Sequence, residues 1–238
     1  MTAVLAIARR ELASFYRTPI GWVVVALYLL ASGVFVATDT LRPGEPATLR
    51  TFFGLSHWLL LSVAPAISMR LVSEEYRTGT IEPLAAAPLW DYTIAIGKYL
   101  GACFFLLTML APTLIYVALL EAVADPEPGP ILVGYTGLVL TGMLYLSAGL
   151  LFSSLTSSQV VAFLGTLFFF LLLTFAADRG AAMLGGTAGD MLRRLSIATR
   201  INDFARGILD VGHVAFFLCW SAWFVMLSGV VLETRRWR

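Results

Sequence analysis

Apolar runs of about 20 residues recur along the whole of this sequence, and no other feature constrains its fold as much. A run of that length crosses a hydrocarbon core of about 30 Å as a helix, which pairs its backbone polar groups internally. The composition agrees, because 59% of the 238 residues are hydrophobic and 13% are charged, whereas a soluble domain has about 25% charged residues. We therefore predict an all-α, polytopic membrane protein that forms one domain over residues 1–238.

Six transmembrane helices account for these runs. We predict spans at residues 20–38, 52–72, 94–120, 131–152, 160–177 and 213–232. The Thr18-Pro19 pair is typical of the N-cap and first position of a helix, and it marks the start of the first span. The proline-rich segment 125–130 is predicted to be non-helical, and segment 153–158 is predicted to be a short polar turn.

Basic residues set the predicted orientation through the positive-inside rule. With both termini in the cytoplasm, just over half of the 16 Lys and Arg residues face inward. An arginine pair also lies beside a span at each end of the chain, Arg9-Arg10 and Arg235-Arg236. We predict a multi-pass protein of the cytoplasmic (inner) membrane with both termini cytoplasmic.

Residues 1–18 are predicted to form an interfacial helix on the membrane surface. One helical face holds Leu5, Ala8, Leu12, Phe15 and Tyr16, and the opposite face holds Arg9, Arg10, Ser14 and Arg17. This two-faced pattern is typical of a helix at the lipid–water boundary. The alternative is a polar leader before a signal peptide, which the sequence favours less because no small-residue cleavage site follows the first apolar run.

The inner segment 73–93 contains the start and stop signals of a short helix between two spans. Gly79 permits a sharp turn after the second span. Thr80 can cap a helix whose first turn contains Pro83, and Pro88 ends that helix. We predict a helix of about two turns that projects from the cytoplasmic face. An ordinary connecting loop is the alternative.

The long outer segment 178–212 contains two amphipathic stretches after the Gly185-Gly186 pair. Their apolar positions are Met191, Leu192 and Leu195 in the first stretch, and Ile201, Phe204, Ala205, Ile208 and Leu209 in the second. This pattern predicts short helices that form an outer hairpin between spans five and six. The hairpin either re-enters the outer leaflet or rests on the outer surface, and the sequence favours neither arrangement.

Several of these stretches resemble segments of ABC-2-type transporter permeases. The cytoplasmic coupling segment of that family is similar to Glu75-x3-Gly79-Thr80-Ile81-Glu82-x-Leu84-x3-Pro88, and the start of the family is similar to Arg9-Arg10-Glu11-Leu12. The branch of gliding-motility-associated permeases and permeases of copper-enzyme maturation is similar to Phe204-Ala205-Arg206-Gly207-Ile208-Leu209-Asp210 and to the C-terminal Arg-Arg-Trp. The resemblance covers essentially the whole chain.

The resemblance implies a permease subunit of an ABC transporter, which couples ATP hydrolysis in a separate ATPase subunit to export. The implied ATPase-coupling residues are Glu75, Gly79, Thr80, Ile81, Glu82, Leu84, Pro88 and Leu89, together with Arg9, Arg10 and Glu11 of the interfacial helix. The implied outer hairpin, which caps the exit, contains Phe204, Gly207 and Asp210. The implied partners are two ATPase copies, a second permease chain that is identical or homologous, membrane lipid and, in some members of the branch, an accessory membrane subunit with an outer domain.

The residues themselves argue against catalysis by this chain. No Gly-x4-Gly-Lys-Ser/Thr phosphate-binding loop occurs, and the Gly97-Lys98 pair lacks both the upstream glycine and the following hydroxyl. We therefore expect no catalytic, cofactor-binding or metal-binding residue, with ATP and Mg²⁺ bound by the partner ATPase. The net charge of +1 indicates no nucleic-acid partner.

An intramembrane protease is one alternative from another class. It would use Glu74 and Glu75, but the arginine spacing of such proteases is not met. The two histidines, His57 and His213, are predicted to lie near the outer ends of spans, far from these carboxylates.

An ion-coupled carrier or channel is the second alternative. Proteins of that class need ionisable groups deep in the membrane. Here the charged residues nearest the spans, Arg70, Lys98 and Glu121, are predicted to lie toward span ends.

Overall fold

The computed structural model describes residues 2–40, 48–80, 90–124 and 126–236. Within these ranges the chain consists of helices and short turns, with no β-strand. The all-α prediction is therefore confirmed.

The helices follow one another with short connections. They are α1 (Thr2–Arg17), α2 (Pro19–Phe35), α3 (Arg50–Ser68), α4 (Ser73–Thr78), α5 (Asp91–Leu110), α6 (Leu114–Val123), α7 (Pro128–Leu155), α8 (Gln159–Phe175), α9 (Ala181–Leu184), α10 (Gly186–Arg193), α11 (Ile197–Ala205) and α12 (Val211–Arg236). Single π-helical turns, Val36–Thr40 and Ala176–Gly180, continue α2 and α8, and a 3₁₀ turn, Ala111–Thr113, joins α5 to α6.

Six stretches of the described chain are long and apolar enough to cross a membrane. They are Pro19–Thr40, Arg50–Thr78, Asp91–Val123, Pro128–Leu155, Gln159–Leu184 and Val211–Arg235. Each contains one predicted span and extends it at both ends. The prediction of six transmembrane helices is confirmed.

Successive spans run in opposite directions, so the bundle has two ends. We call the end that holds α1, α4 and the junction between α7 and α8 the α1 face. The Arg235 side chain donates there to the carbonyl oxygen of Leu155. We call the opposite end, which holds α10 and α11, the hairpin face. Gly207 lies there against Pro130 at the start of α7.

Helix α7 is the centre of the bundle and is more buried than any other candidate span in the described ranges. It packs against α3, α11 and α12. Its buried side chains include Leu138, Tyr145, Leu146 and Leu150. The ends of α7 therefore connect the α1 face to the hairpin face through one continuous helix.

The prediction that segment 125–130 is non-helical is wrong for its second half. Helix α7 begins at Pro128, with Glu127 as its N-cap residue. Prolines fit the first turn of a helix because the N–H groups of that turn have no intrahelical partner. Asp125 lies outside the described residues.

The boundaries of two predicted connections also differ from the structure. Helix α7 continues to Leu155, so Ser153 and Ser154 are buried helical residues and not part of a polar turn. Span five continues as helix past residue 178 to Leu184. The turn that follows contains Gly185 and Gly186, whose φ angles of 57° and 55° favour glycine.

Candidate functional site

The candidate site at the α1 face begins with the close packing of α1 on α5. Two glycines of α5 lie under α1. A Cβ atom at Gly97 would lie 2.8 Å from Cβ of Ile7, and one at Gly101 would lie 2.7 Å from Cβ of Glu11. Such short distances require residues without side chains, and small residues spaced by four commonly let two helices approach closely.

Aromatic stacking continues this contact toward the end of α1. Phe15 stacks on Phe105 of α5 with a centroid separation of 4.6 Å. Of the apolar face predicted for α1, Ala8 is buried, but Leu5 is 64% exposed. The two glycines of α5 set which face of α1 is buried, and that face is centred on Ile7, Ala8 and Phe15 rather than on Leu5.

Lys98 lies between the two glycines and is 1% exposed. Its Nζ donates to Oε1 of Glu11 at 2.9 Å and to Oε1 of Glu75 at 2.7 Å. It also donates to the carbonyl oxygen of Leu71 at 2.6 Å. A buried ammonium is tolerated only when its hydrogen bonds are satisfied by such partners. Lys98 therefore binds together α1, α4, the turn before α4, and α5.

Arg10 completes this group, which we call the Lys98 cluster (Arg10, Glu11, Glu75 and Lys98). The Arg10 guanidinium donates to Oε1 of Glu11 and to Oε1 of Glu75, each at 3.1 Å, and its side chain is 54% exposed. Two cations thus balance two carboxylates. The second carboxylate oxygen of Glu75, Oε2, is buried and has no hydrogen-bond partner within the described chain.

A second arginine joins the end of α1 to the end of span two. Arg70 forms an ion pair with Glu74, with 3.3 Å between Nε and Oε2. It also donates to Oγ1 of Thr18 at 2.9 Å and lies over the ring of Phe15 at 5.4 Å. Thr18 is the N-cap residue of α2, but its hydroxyl donates to the carbonyl of Ser14 and does not cap the helix. Arg70 therefore holds the corner between α1 and α2.

Ser153 of α7 holds the break between α3 and α4. Its Oγ accepts hydrogen bonds from the backbone N–H groups of Val72 and Ser73 at 3.1 and 3.0 Å. It donates to the carbonyl oxygen of Met69 at 2.8 Å. These three backbone groups belong to a turn that lacks regular helical hydrogen bonds, so one buried hydroxyl satisfies the turn and fixes it to the central helix.

The predicted coupling segment leaves the bundle next to the Lys98 cluster. Helix α4 ends at Thr78, and Gly79 has a φ of 71°, which agrees with the predicted sharp turn. Oγ1 of Thr80 lies 2.9 Å from Oγ1 of Thr78. The predicted coupling residues Ile81, Glu82, Leu84, Pro88 and Leu89 lie outside the described residues.

A polar cavity of about 400 Å³ opens at this position. Its lining includes Arg10, Glu11, Arg70, Glu75 and Thr80. Of the predicted coupling residues, the structure brings together Arg10, Glu11 and Glu75, and it leaves Arg9 on the exposed side of α1. The cavity is therefore a charged recess at the α1 face, next to the ion pairs of the Lys98 cluster.

The sequence did not predict Lys98 as a site residue and indicated only that it lies near the cytoplasmic end of span three. Helix α5 already begins at Asp91, so Lys98 lies about two turns inside a helix. The available signal was a lysine between two glycines, Gly97 and Gly101, in an otherwise apolar helix. Arg70 and Ser153 were not predicted as site residues either.

The hairpin face contains the second set of predicted residues. Phe204 of α11 is buried against α7, where a Cβ atom at Gly137 would lie 2.7 Å from Cβ of Phe204. Ile201 and Ala205, which belong to the same predicted apolar face, are buried beside it. The Arg200 guanidinium lies 4.0 Å from the centroid of Phe216, and partial burial lowers its pKa. Helix α11 therefore packs firmly on the bundle.

The predicted amphipathic pattern fails beyond Ala205. Ile208 and Leu209 are exposed, and so is Met191 in α10. The helix ends because Gly207 adopts a φ of 83°, which favours glycine. Asp210 then accepts a hydrogen bond from the N–H of Gly212 at 2.7 Å, just inside α12.

Histidine and acidic side chains do not converge into a metal site in the described ranges, where no group of three or more His, Cys, Asp or Glu residues has suitable geometry. Nδ1 of His57 lies 3.1 Å from the hydroxyl oxygen of Tyr145. Nε2 of His213 lies 3.9 Å from Oδ2 of Asp203. Both histidines lie in the half of the bundle near the hairpin face.

A family model described as "ABC-2 family transporter protein" matches residues 19–206 of the sequence. The chain belongs to the ABC-2 transporter family. No curated protein was found to match it. The matched range includes spans one to five and α11, so it contains Arg70, Glu75 and Lys98.

Members of the ABC-2 family are the membrane component of ABC transporters. This component is not itself catalytic and normally works with an ATPase partner. The present ABC-2 chain is accordingly a multi-pass membrane protein with a transport role.

Proposed function

We propose that this chain is the permease subunit of an ATP-driven exporter and that its ATPase docks on the α1 face. The observation that carries this proposal is the Lys98 cluster. It joins α1 to α4 at the place where the predicted coupling segment leaves the bundle. A protein bound to both α1 and α4 would therefore move the two helices together.

The contacts of the cluster suggest how motion would pass into the spans. Displacement of the coupling segment would move Glu75, which shares Lys98 with Glu11 of α1. Lys98 belongs to α5, while Ser153 links the turn before α4 to α7. ATP-dependent closure of the partner would therefore act on spans two, three and four together, and two states of these contacts would correspond to two states of the pathway.

The partners follow from the same proposal. Two ATPase copies would bind ATP and Mg²⁺, and a second permease chain, identical or homologous, would complete the complex. The resemblance to the gliding-motility and copper-enzyme-maturation branch favours an accessory membrane subunit with an outer domain. We place the α1 face and both termini in the cytoplasm and the protein in the inner membrane.

The experiment is affinity purification of the chain in mild detergent, followed by mass spectrometry of the proteins that accompany it. We expect a chain with a phosphate-binding glycine-rich loop. Glu82→Lys or deletion of residues 81–84 should abolish that association while membrane insertion is retained. Glu121→Lys, the same charge change near the hairpin face, should leave the association intact. Unchanged recovery of the ATPase with the deleted chain would contradict the proposal.

A further inference from the structure

A groove of about 540 Å³ lies at the hairpin face, away from the Lys98 cluster. Its walls come from the end of α2, from the first turns of α3, and from α11. Phe35, Arg50, His57, Trp58 and Asn202 are among the residues that line it. The groove lies where the ends of two spans meet the amphipathic helix that covers the bundle.

Arg50 gives the groove a positive charge that no lining carboxylate neutralises. It is the only charged residue among the described residues of the lining, and its side chain makes no ion pair within the described ranges. Arg50 is also the first residue of α3, whose N-cap residue, Leu49, supplies no side-chain hydrogen bond. The first N–H groups of a helix attract anions, so the guanidinium and the helix terminus favour the same kind of ligand.

His57 provides a second, independent indication of a ligand. It lines the groove, yet it is only 2% exposed. Nδ1 is satisfied by Tyr145, whereas the buried Nε2 has no hydrogen-bond partner in the described part of the chain. Buried polar atoms are normally paired, so an unpaired one beside a cavity indicates a place for a polar group from outside.

Most of the other residues that line the groove are apolar, and the apolar surface continues onto the spans. Phe35 and Trp58 are 44% and 47% exposed, and Leu30 and Val34 extend the apolar surface along α2. On a transmembrane helix, exposed apolar side chains of this kind contact acyl chains. A ligand that fills both parts of the groove must therefore have a charged head and an apolar tail.

We propose that this groove binds an amphiphile with one anionic phosphate headgroup. The headgroup binds Arg50 and the N-terminus of α3, and the apolar chain lies along Phe35 and Trp58. The proposal concerns ligand binding alone, so its test is independent of the proposed ATPase docking at the opposite face.

The test is native mass spectrometry of the full chain in detergent, titrated with phosphatidylglycerol or with phosphatidylcholine. We expect tighter binding of phosphatidylglycerol. Arg50→Gln should weaken that binding about tenfold, as expected for loss of a hydrogen bond to a charged group, and Arg50→Lys should retain most of it. The matched control is Arg193→Gln, which removes an exposed arginine from α10 and should have no effect.

A second variant keeps the test decisive if Arg50→Gln folds poorly. Trp58→Ala should weaken the binding of both lipids equally, because it removes an apolar contact and leaves the charge in place. Equal binding of the two lipids, or equal effects of Arg50→Gln and Arg193→Gln, would mean contact with bulk lipid only and would overturn the proposal. Displacement of phosphatidylglycerol by an equal concentration of glycerol 3-phosphate would overturn the assignment of an amphiphile.

Discussion

The ammonium of Lys98 lies 2.7 Å from the carboxylate of Glu75, and this pair connects the third span to α4, the short helix at the start of the predicted coupling segment 73–93. The same ammonium lies 2.9 Å from Glu11 of α1. One buried cation thus holds two elements that the family resemblance assigns to ATPase contact. The α1 face is consequently organised around Lys98 rather than around residues at its surface.

Lys98→Met should destabilise the protein strongly. It leaves two mostly buried carboxylates without their shared cation, and breaking a buried pair costs about 3–5 kcal/mol. Adding Glu75→Gln should recover part of the loss because it removes one of the uncompensated charges. The readout is the thermal unfolding midpoint in detergent.

The control for this prediction is Arg10→Gln, which removes the exposed cation of the same cluster. An exposed pair contributes about 0–1 kcal/mol, so the midpoint should change little. Equal midpoints for Lys98→Met and Arg10→Gln would mean that Lys98 has no special structural role.

Ser153→Ala should loosen the turn between α3 and α4. It removes the acceptor for the N–H groups of Val72 and Ser73, and each unpaired buried group costs about 1–3 kcal/mol. Hydrogen exchange at these two amides should become faster. Ser154→Ala is a matched control because the Ser154 hydroxyl donates only within its own helix, to the carbonyl of Leu151. If the amides of Val72 and Ser73 exchange at the same rate in both variants, Ser153 does not anchor the turn.

Gly101→Val should detach α1 from α5. Its Cβ would lie 2.9 Å from the carbonyl oxygen of Ala8, and backbone atoms cannot move aside without displacing the helix. Trypsin should then cleave faster after the arginines of α1. Gly54→Val is the control, because a Cβ atom at that helical glycine meets nothing within 4 Å. Equal cleavage rates for the two variants would refute the close packing of α1.

The sequence predicted the spans well because the information for them is local. An apolar run of sufficient length indicates a transmembrane helix wherever it packs. The role of Lys98 could not be predicted in this way, since its carboxylate partners lie 23 and 87 residues away in the chain. The exposure of Leu5 depends likewise on glycines of another helix, Gly97 and Gly101.

The turn at Gly79 was predictable for the same local reason, and this glycine adopts a positive φ angle. The prediction for the proline-rich start of α7 was wrong because proline has two opposite effects on helices. It breaks a helix when it lies inside one, but it fits well in the first turn. Which effect applies at Pro128 is decided by the packing of the helix that follows.

The two faces of the bundle should lie on opposite sides of the membrane. Cysteines introduced at Thr80 and Gly186, in a chain with Cys219→Ser, provide the test, because Cys103 is buried and Cys219 is exposed. A membrane-impermeant maleimide on intact cells should label position 186 at once and position 80 only after permeabilisation. Labelling of both positions from one side would refute the topology, and the reverse order would place the termini outside.

The central claim is that an ATPase docks on the α1 face, and site-specific photocrosslinking in cells tests it most directly. A photoreactive residue would replace Arg9, Thr80 or, as the control, Met183, which is 89% exposed near the hairpin face. We predict that positions 9 and 80 crosslink to a chain with a phosphate-binding glycine-rich loop and that position 183 does not. Crosslinking of that chain from position 183 alone, or from none of the three, would contradict the account.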